Sequence, residues 1–136
     1  MGSVVFYEIG ADVTVVAHLI FILYVVGGGF LAWHWPRTIA LHLAAVAWGF
    51  TGLLVGIDCP LTHLESWARV HAGQEPLPSS GFIAHYLTGV VYPESAAGAV
   101  ETLVALAVVT SWVGYVVLRV RTRAPLEHTR PGGAGV

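Results

Sequence analysis

Cysteine is almost absent from this chain. Cys59 is the only one, which excludes an intrachain disulfide and any zinc or iron-sulfur site built from several thiolates. Charge is scarce as well: Asp, Glu, Lys and Arg make up 10% of the 136 residues, where a soluble globular domain carries about a quarter. All positive charge is arginine, at Arg37, Arg69, Arg119, Arg121, Arg123 and Arg130, and the formal net charge of -2 gives no field to hold a polyanion. A nucleic-acid partner is therefore not expected. Met1 to Asp12 contains no basic residue, so the positively charged start of a cleavable signal peptide is missing. No short motif specifying a reaction is present, and no internal repeat.

What is abundant is apolar surface. Hydrophobic residues reach 56% and mean hydropathy is +0.74, the composition of a membrane protein with room for a single domain. A bilayer crossing takes about 20 apolar residues at 1.5 Å each. Three stretches qualify, near 10–33, 38–57 and 96–118, and each reads as a helix because lipid leaves backbone groups no other partner outside a closed barrel. The fold class expected is an all-α membrane protein with three transmembrane helices. Residues 1–120 form its membrane domain, and 121–136, polar and rich in proline and glycine, read as a disordered cytoplasmic tail.

Arginine placement sets the expected orientation, since positive residues are retained in the cytoplasm. Arg37 and the four C-terminal arginines lie on one side and Arg69 alone on the other. The N-terminus and the 58–94 connection are thus expected outside and the C-terminus inside, in a bacterial inner membrane. Trp33, Trp35 and Tyr115 then fall near the inner interface, and Trp67, Tyr86 and Tyr92 in the outer connection, as headgroup-level aromatic anchors do.

In that connection, Pro60 suits a first helical turn and Thr62 with Glu65 has capping-box spacing. A short amphipathic helix follows, with Leu61, Leu64, Trp67 and Ala68 on its apolar face and Glu65 and Arg69 paired on the wetter one, expected to lie flat in the interface. Residues 74–80 read as a loop, and Gly81 to Tyr92 as an interfacial or re-entrant helix too short to span.

The Cys59-Pro60-Leu61-Thr62 box with Leu64-Glu65, the Gly81-Phe82-Ile83 box with His85-Tyr86-Leu87, and Tyr92-Pro93 stand on a frame whose second helix holds Leu41-His42-Leu43 and Trp48-Gly49. In these features the chain resembles the domain-of-unknown-function family 2784, over roughly residues 8 to 120. The resemblance implies a small three-span bacterial inner-membrane protein and carries no activity over.

Among candidate chemical groups, His18 and Glu101 sit at ~12 Å and ~8 Å below the outer interface on spans one and three, so they are expected to pair, because an unpaired ionisable group is expensive in hydrocarbon. His42 enters from the other side, roughly 11 Å in height from His18, too far for both to hold one haem iron. Cys59, His63, His71 and His85 share one membrane side and offer thiolate and imidazole to zinc or copper, although interfacial histidines and a helix start account for the same residues. Cys59 as a nucleophile would need a depressed pKa. Small residues at four-residue spacing, Ala45 with Gly49, Gly52 with Gly56 and Ala107 with Ser111, together with Gly27-Gly28-Gly29, read as helix-packing faces.

These features favour a non-enzymatic accessory subunit, with the bilayer and other membrane-protein subunits as partners and with no cofactor; respiratory and photosynthetic complexes are the kind of host that commonly carries small apolar subunits. The alternative is a metal- or cofactor-binding membrane protein using Cys59, His63, His71 and His85.

Overall fold

In the computed structural model, which describes residues 1–79 and 81–124, the chain forms five α-helices: α1 Gly2–Leu31, α2 Thr38–Val55, α3 Pro60–His71, α4 Gly81–Tyr86 and α5 Ala97–Arg123. A 3-10 turn at Glu94–Ala96 leads into α5. The described residues contain no β-strand, only one isolated bridge between Thr88 and Tyr92. Three helical segments, Gly2–Leu31, Thr38–Val55 and Glu94–Arg123, are long and apolar enough to cross a membrane.

Two boundaries of the long helices differ from the sequence reading. Helix α1 begins at Gly2 rather than near residue 10, since nothing between Gly2 and Asp12 breaks a helix. At the other end α5 continues through Arg121 and Arg123, so the expected tail starts later; it ends where Ala124 turns extended, as a residue preceding proline is driven to do. The rest of that tail lies outside the described residues. Helix α2 closes on Gly56, whose φ of 70° is the left-handed conformation that suits glycine at a helix end, while the Ile57 amide donates to the Gly52 carbonyl at 3.1 Å.

Helix α1 is the column of the molecule: α2, α3 and α5 each pack on it, far more than on one another. In the lower half Val25, Val46 and Val108 form the core, flanked by Phe21, Ala45, Phe50 and Trp112. Close approach there depends on glycine. A Cβ on Gly28 would lie 2.7 Å from His42 Cδ2, and one on Gly29 would run into the Ser111 hydroxyl. The Trp33 ring covers Gly114, and its indole N–H donates to the Ser111 carbonyl at 2.9 Å.

These contacts fix relative heights. His42 lies against Gly28, and α2 rises only 13 residues beyond His42, about 20 Å, whereas α1 rises about 39 Å above Gly28. The first dozen residues of α1 therefore project past the end of α2. Helix α3 does not lie flat but packs along this projection: Ala11, Thr14 and His18 of α1 are buried, as are Thr62, Glu65 and Ala68 of α3, and Trp67 and His71 meet the Tyr7 ring near the top of α1.

The buried face of α3 holds only part of the face its apolar residues mark: Ala68 is inside. Leu64, Trp67 and Val70 are each about half exposed, at 51%, 51% and 52%, while Glu65 is fully buried. Beside a membrane the outer face of a helix has no need to be polar, and Glu65 has partners inside. Nor does the capping box form. Cys59 is the N-cap, Pro60 opens the first turn, and no side chain caps the helix; Thr62 and Glu65 face α1 instead. Helix α4 stops at Tyr86, because Gly89 takes a φ of 84° and its amide bonds the Tyr92 carbonyl at 2.7 Å, turning the chain back toward α5.

Candidate functional site

Two buried polar clusters flank the α1 column. The lower one centres on His42, whose side chain has no exposure. Its Nε2 lies 3.0 Å from the Val25 carbonyl, and the Trp112 indole N–H donates to its Nδ1 at 3.1 Å. Since Trp112 can only donate, Nδ1 accepts and Nε2 carries the proton: a neutral imidazole with both nitrogens satisfied. Tyr24 packs edge-on against the same ring, and the Tyr24 hydroxyl donates to the Thr38 carbonyl. This cluster ties α1, α2 and α5 together and leaves no free polar atom for a ligand.

The upper cluster lies where α3 and α4 meet α1. The Tyr86 hydroxyl donates to Glu65 Oε1 at 2.6 Å. Arg69, one turn beyond Glu65, donates from Nη1 to the Tyr86 oxygen at 3.1 Å, stands 3.9 Å from Glu65 Oε1, and donates from Nε to the Glu75 carbonyl at 2.9 Å. Burial, then the hydrogen bond to the Glu65 carboxylate, push the Tyr86 phenol up to about 12, so it remains a proton donor at any ordinary pH. Phe82, one turn before Tyr86, stacks on the His18 imidazole with centroids 4.0 Å apart and planes 15° from parallel. Two atoms of this region have no protein partner although buried: His18 Nδ1 and Glu65 Oε2.

The residues singled out in the sequence distribute differently. His18 and Glu101 do not pair: Glu101 is exposed on α5, and the face of α1 that carries His18 is occupied by Phe82 of α4. Cys59, His63, His71 and His85 do not converge, and among the described residues no three His, Cys, Asp or Glu side chains are grouped to hold a metal ion. Cys59 is the half-buried N-cap of α3, His63 and His85 point outward, and His71 Nδ1 donates to the Trp67 carbonyl at 2.8 Å. His18 lies ten residues from Gly28, the position that His42 faces, about 15 Å along α1.

Of the small-residue sets, Gly28 and Gly29 are close-approach points, and Ser111 meets Gly29. Gly49 contacts Phe21 and Val25 at ordinary distance, whereas Gly52 approaches only the Ile57 carbonyl of its own helix end and Gly56 faces open space. Within the chain, the Gly52/Gly56 pair therefore closes a helix end and meets no other helix. Sequence reasoning missed the Glu65–Tyr86 clasp and the His42–Trp112 bond. Thr62, Glu65 and Ala68 do recur at three-residue spacing, a signal of one helical face, but polarity argued for turning Glu65 outward.

A column helix carrying two membrane-length partners and a short-helix cap with a polar seam defines a three-span, all-α membrane protein. Residues 8–117 match the family described as Protein of Unknown function (DUF2784), and the chain belongs to it. No curated protein and no solved structure matches the chain.

Proposed function

We propose that this protein is a non-enzymatic accessory subunit that packs against a larger membrane assembly. The observation that carries the reading is the outer stripe of α1. Phe6, Ile9, Val13, Val16, Ile20 and Leu23 recur at three- and four-residue spacing and are all exposed. A 30-residue helix is about 45 Å long against roughly 30 Å of hydrocarbon. Part of an apolar stripe therefore reaches past the lipid that would cover it, beside a cap that also turns Leu64, Trp67 and Val70 outward, and exposed apolar surface of this extent marks an interaction site. A photo-crosslinking residue at Ile9 or Val13 should join the protein to one discrete polypeptide in native membranes, while the same group at Leu54, beside Gly56 at the end of α2, should not. Crosslinks to lipid alone from every position, with a monodisperse monomer in mild detergent, would overturn the reading.

The orientation belongs to the same proposal: a bacterial inner membrane, with the cap outside and the Arg37 and Arg119 end in the cytoplasm. Cys59, half-buried at the base of the cap, should react with a membrane-impermeant maleimide in intact spheroplasts, and a Val55→Cys variant supplies a more exposed thiol at the same end. Labelling of both only after lysis would reverse the orientation.

A further inference from the structure

The polar seam between α1 and α3 holds two unmet hydrogen-bonding groups. His18, 5% exposed, leaves Nδ1 without a protein partner, and Glu65, 0% exposed, leaves Oε2 without one. Neither is an edge effect. His18 is sealed by the stacked Phe82 ring, and Glu65 is held by Tyr86 through its other oxygen. Phe82 and Tyr86 are one turn, about 6 Å, apart along α4, and the two orphaned atoms do not bond each other. Buried Thr14 and Thr62 lie on the same seam; the Thr14 hydroxyl donates to the Gly10 carbonyl at 2.8 Å and is not a partner of His18 Nδ1.

A buried polar atom left unpaired costs about 1–3 kcal/mol, and internal water makes about three hydrogen bonds to such atoms where a polar site has room for a sphere of its size. We propose that the α1–α3 seam is an internal water-binding site, in which one to three ordered waters bridge His18 Nδ1 to Glu65 Oε2. Arg69 offsets the Glu65 charge, so the site takes a neutral ligand with donors rather than a cation. The waters join the cap to the column in place of a direct side-chain contact, and they link two titratable groups that share no bond.

The test uses the whole protein in lipid bilayers with imidazole-labelled histidine. Magnetisation transfer from slowly exchanging water to the His18 ring nitrogens should be observed by solid-state NMR, and no transfer to that ring would overturn the proposal without any substitution. In parallel, His18→Phe keeps a ring against Phe82 and deletes Nδ1. A bridged seam predicts a lower Tm for His18→Phe, by several degrees, and an effect that shrinks in the Glu65→Gln background because the two sites share the bridge. A dry seam predicts the opposite sign, since deleting an orphaned polar atom stabilises, together with additive shifts in the double variant; that result would also overturn the proposal.

Discussion

Replacing Gly29 with leucine should prevent the three spans from closing, with a loss of at least about 3 kcal/mol. An added Cβ alone runs into the Ser111 hydroxyl and stands 2.8 Å from Ser111 Cβ and 3.0 Å from His42 Cε1. Those neighbours cannot give way cheaply. The Ser111 hydroxyl donates to the Val108 carbonyl at 2.7 Å, the Ser111 carbonyl accepts from Trp33, and His42 is held at both nitrogens. Gly27, two positions earlier in the same triplet, meets nothing within 4 Å of a Cβ. Gly27→Leu should therefore fall within about 0.5 kcal/mol of the parent. Thermal unfolding and monodispersity in detergent compare the two, and equal losses would mean that α5 does not cross α1 at Ser111.

Glu65→Ala should release the cap. The substitution removes the acceptor of the 2.6 Å bond from Tyr86 and leaves a partly buried phenol beside an uncompensated Arg69; the expected loss is about 2–3 kcal/mol, below the full value for a sealed ion pair because Arg69 keeps contact with solvent. Proteolysis in the 74–79 loop should accelerate while the membrane helices stay protected. A pH signature belongs to the same bond. The phenol of folded Tyr86 is pushed up to about 12 against about 10 when unfolded, so the folded state holds the proton more tightly. Its contribution is complete below pH 10 and is lost as pH rises from 10 to about 12. Tyrosinate absorbance should show Tyr86 ionising late, and Glu65→Ala should move it part of the way back, since burial remains. A late tyrosine unmoved by Glu65→Ala would show that Glu65 does not touch it.

The spans were legible because lipid simplifies the code: three long apolar runs, ended by Pro36 after α1, by Gly56 after α2 and by a proline after α5, admit little but helix. What the runs could not convey was which side of each helix meets protein. Hydropathy separates polar from apolar, and in α3 that distinction misplaces three side chains, with Glu65 inside and Leu64 and Trp67 outside, while Ala68 is buried as an apolar residue should be. The reading of His18 failed for a related reason. Depth along a helix can be counted from its ends, which places His18 and Glu101 at similar height, but rotation about the axis cannot, and the short helix read from Gly81 onward sets Phe82 over the imidazole. His42 was discounted as a haem ligand on height alone, while its bonds to Val25 and Trp112 depend on glycines 28 and 29 admitting another helix, a three-body condition that no pairwise spacing rule contains.

The star-like arrangement around α1 bears on how the molecule comes apart and is made. Two cooperative units share one helix: a membrane unit of the lower column with α2 and α5, and a cap unit of the upper column with α3 and α4. Such units open with separate free energies, so the cap can exchange its amides while the membrane unit stays closed. During synthesis the shared helix emerges first and the cap segments follow before α5 exists, which lets the upper unit complete itself on the column while the last span is still on the ribosome. The final span then docks at Gly29 onto a surface already built, and an error there arrests assembly at its last step rather than its first.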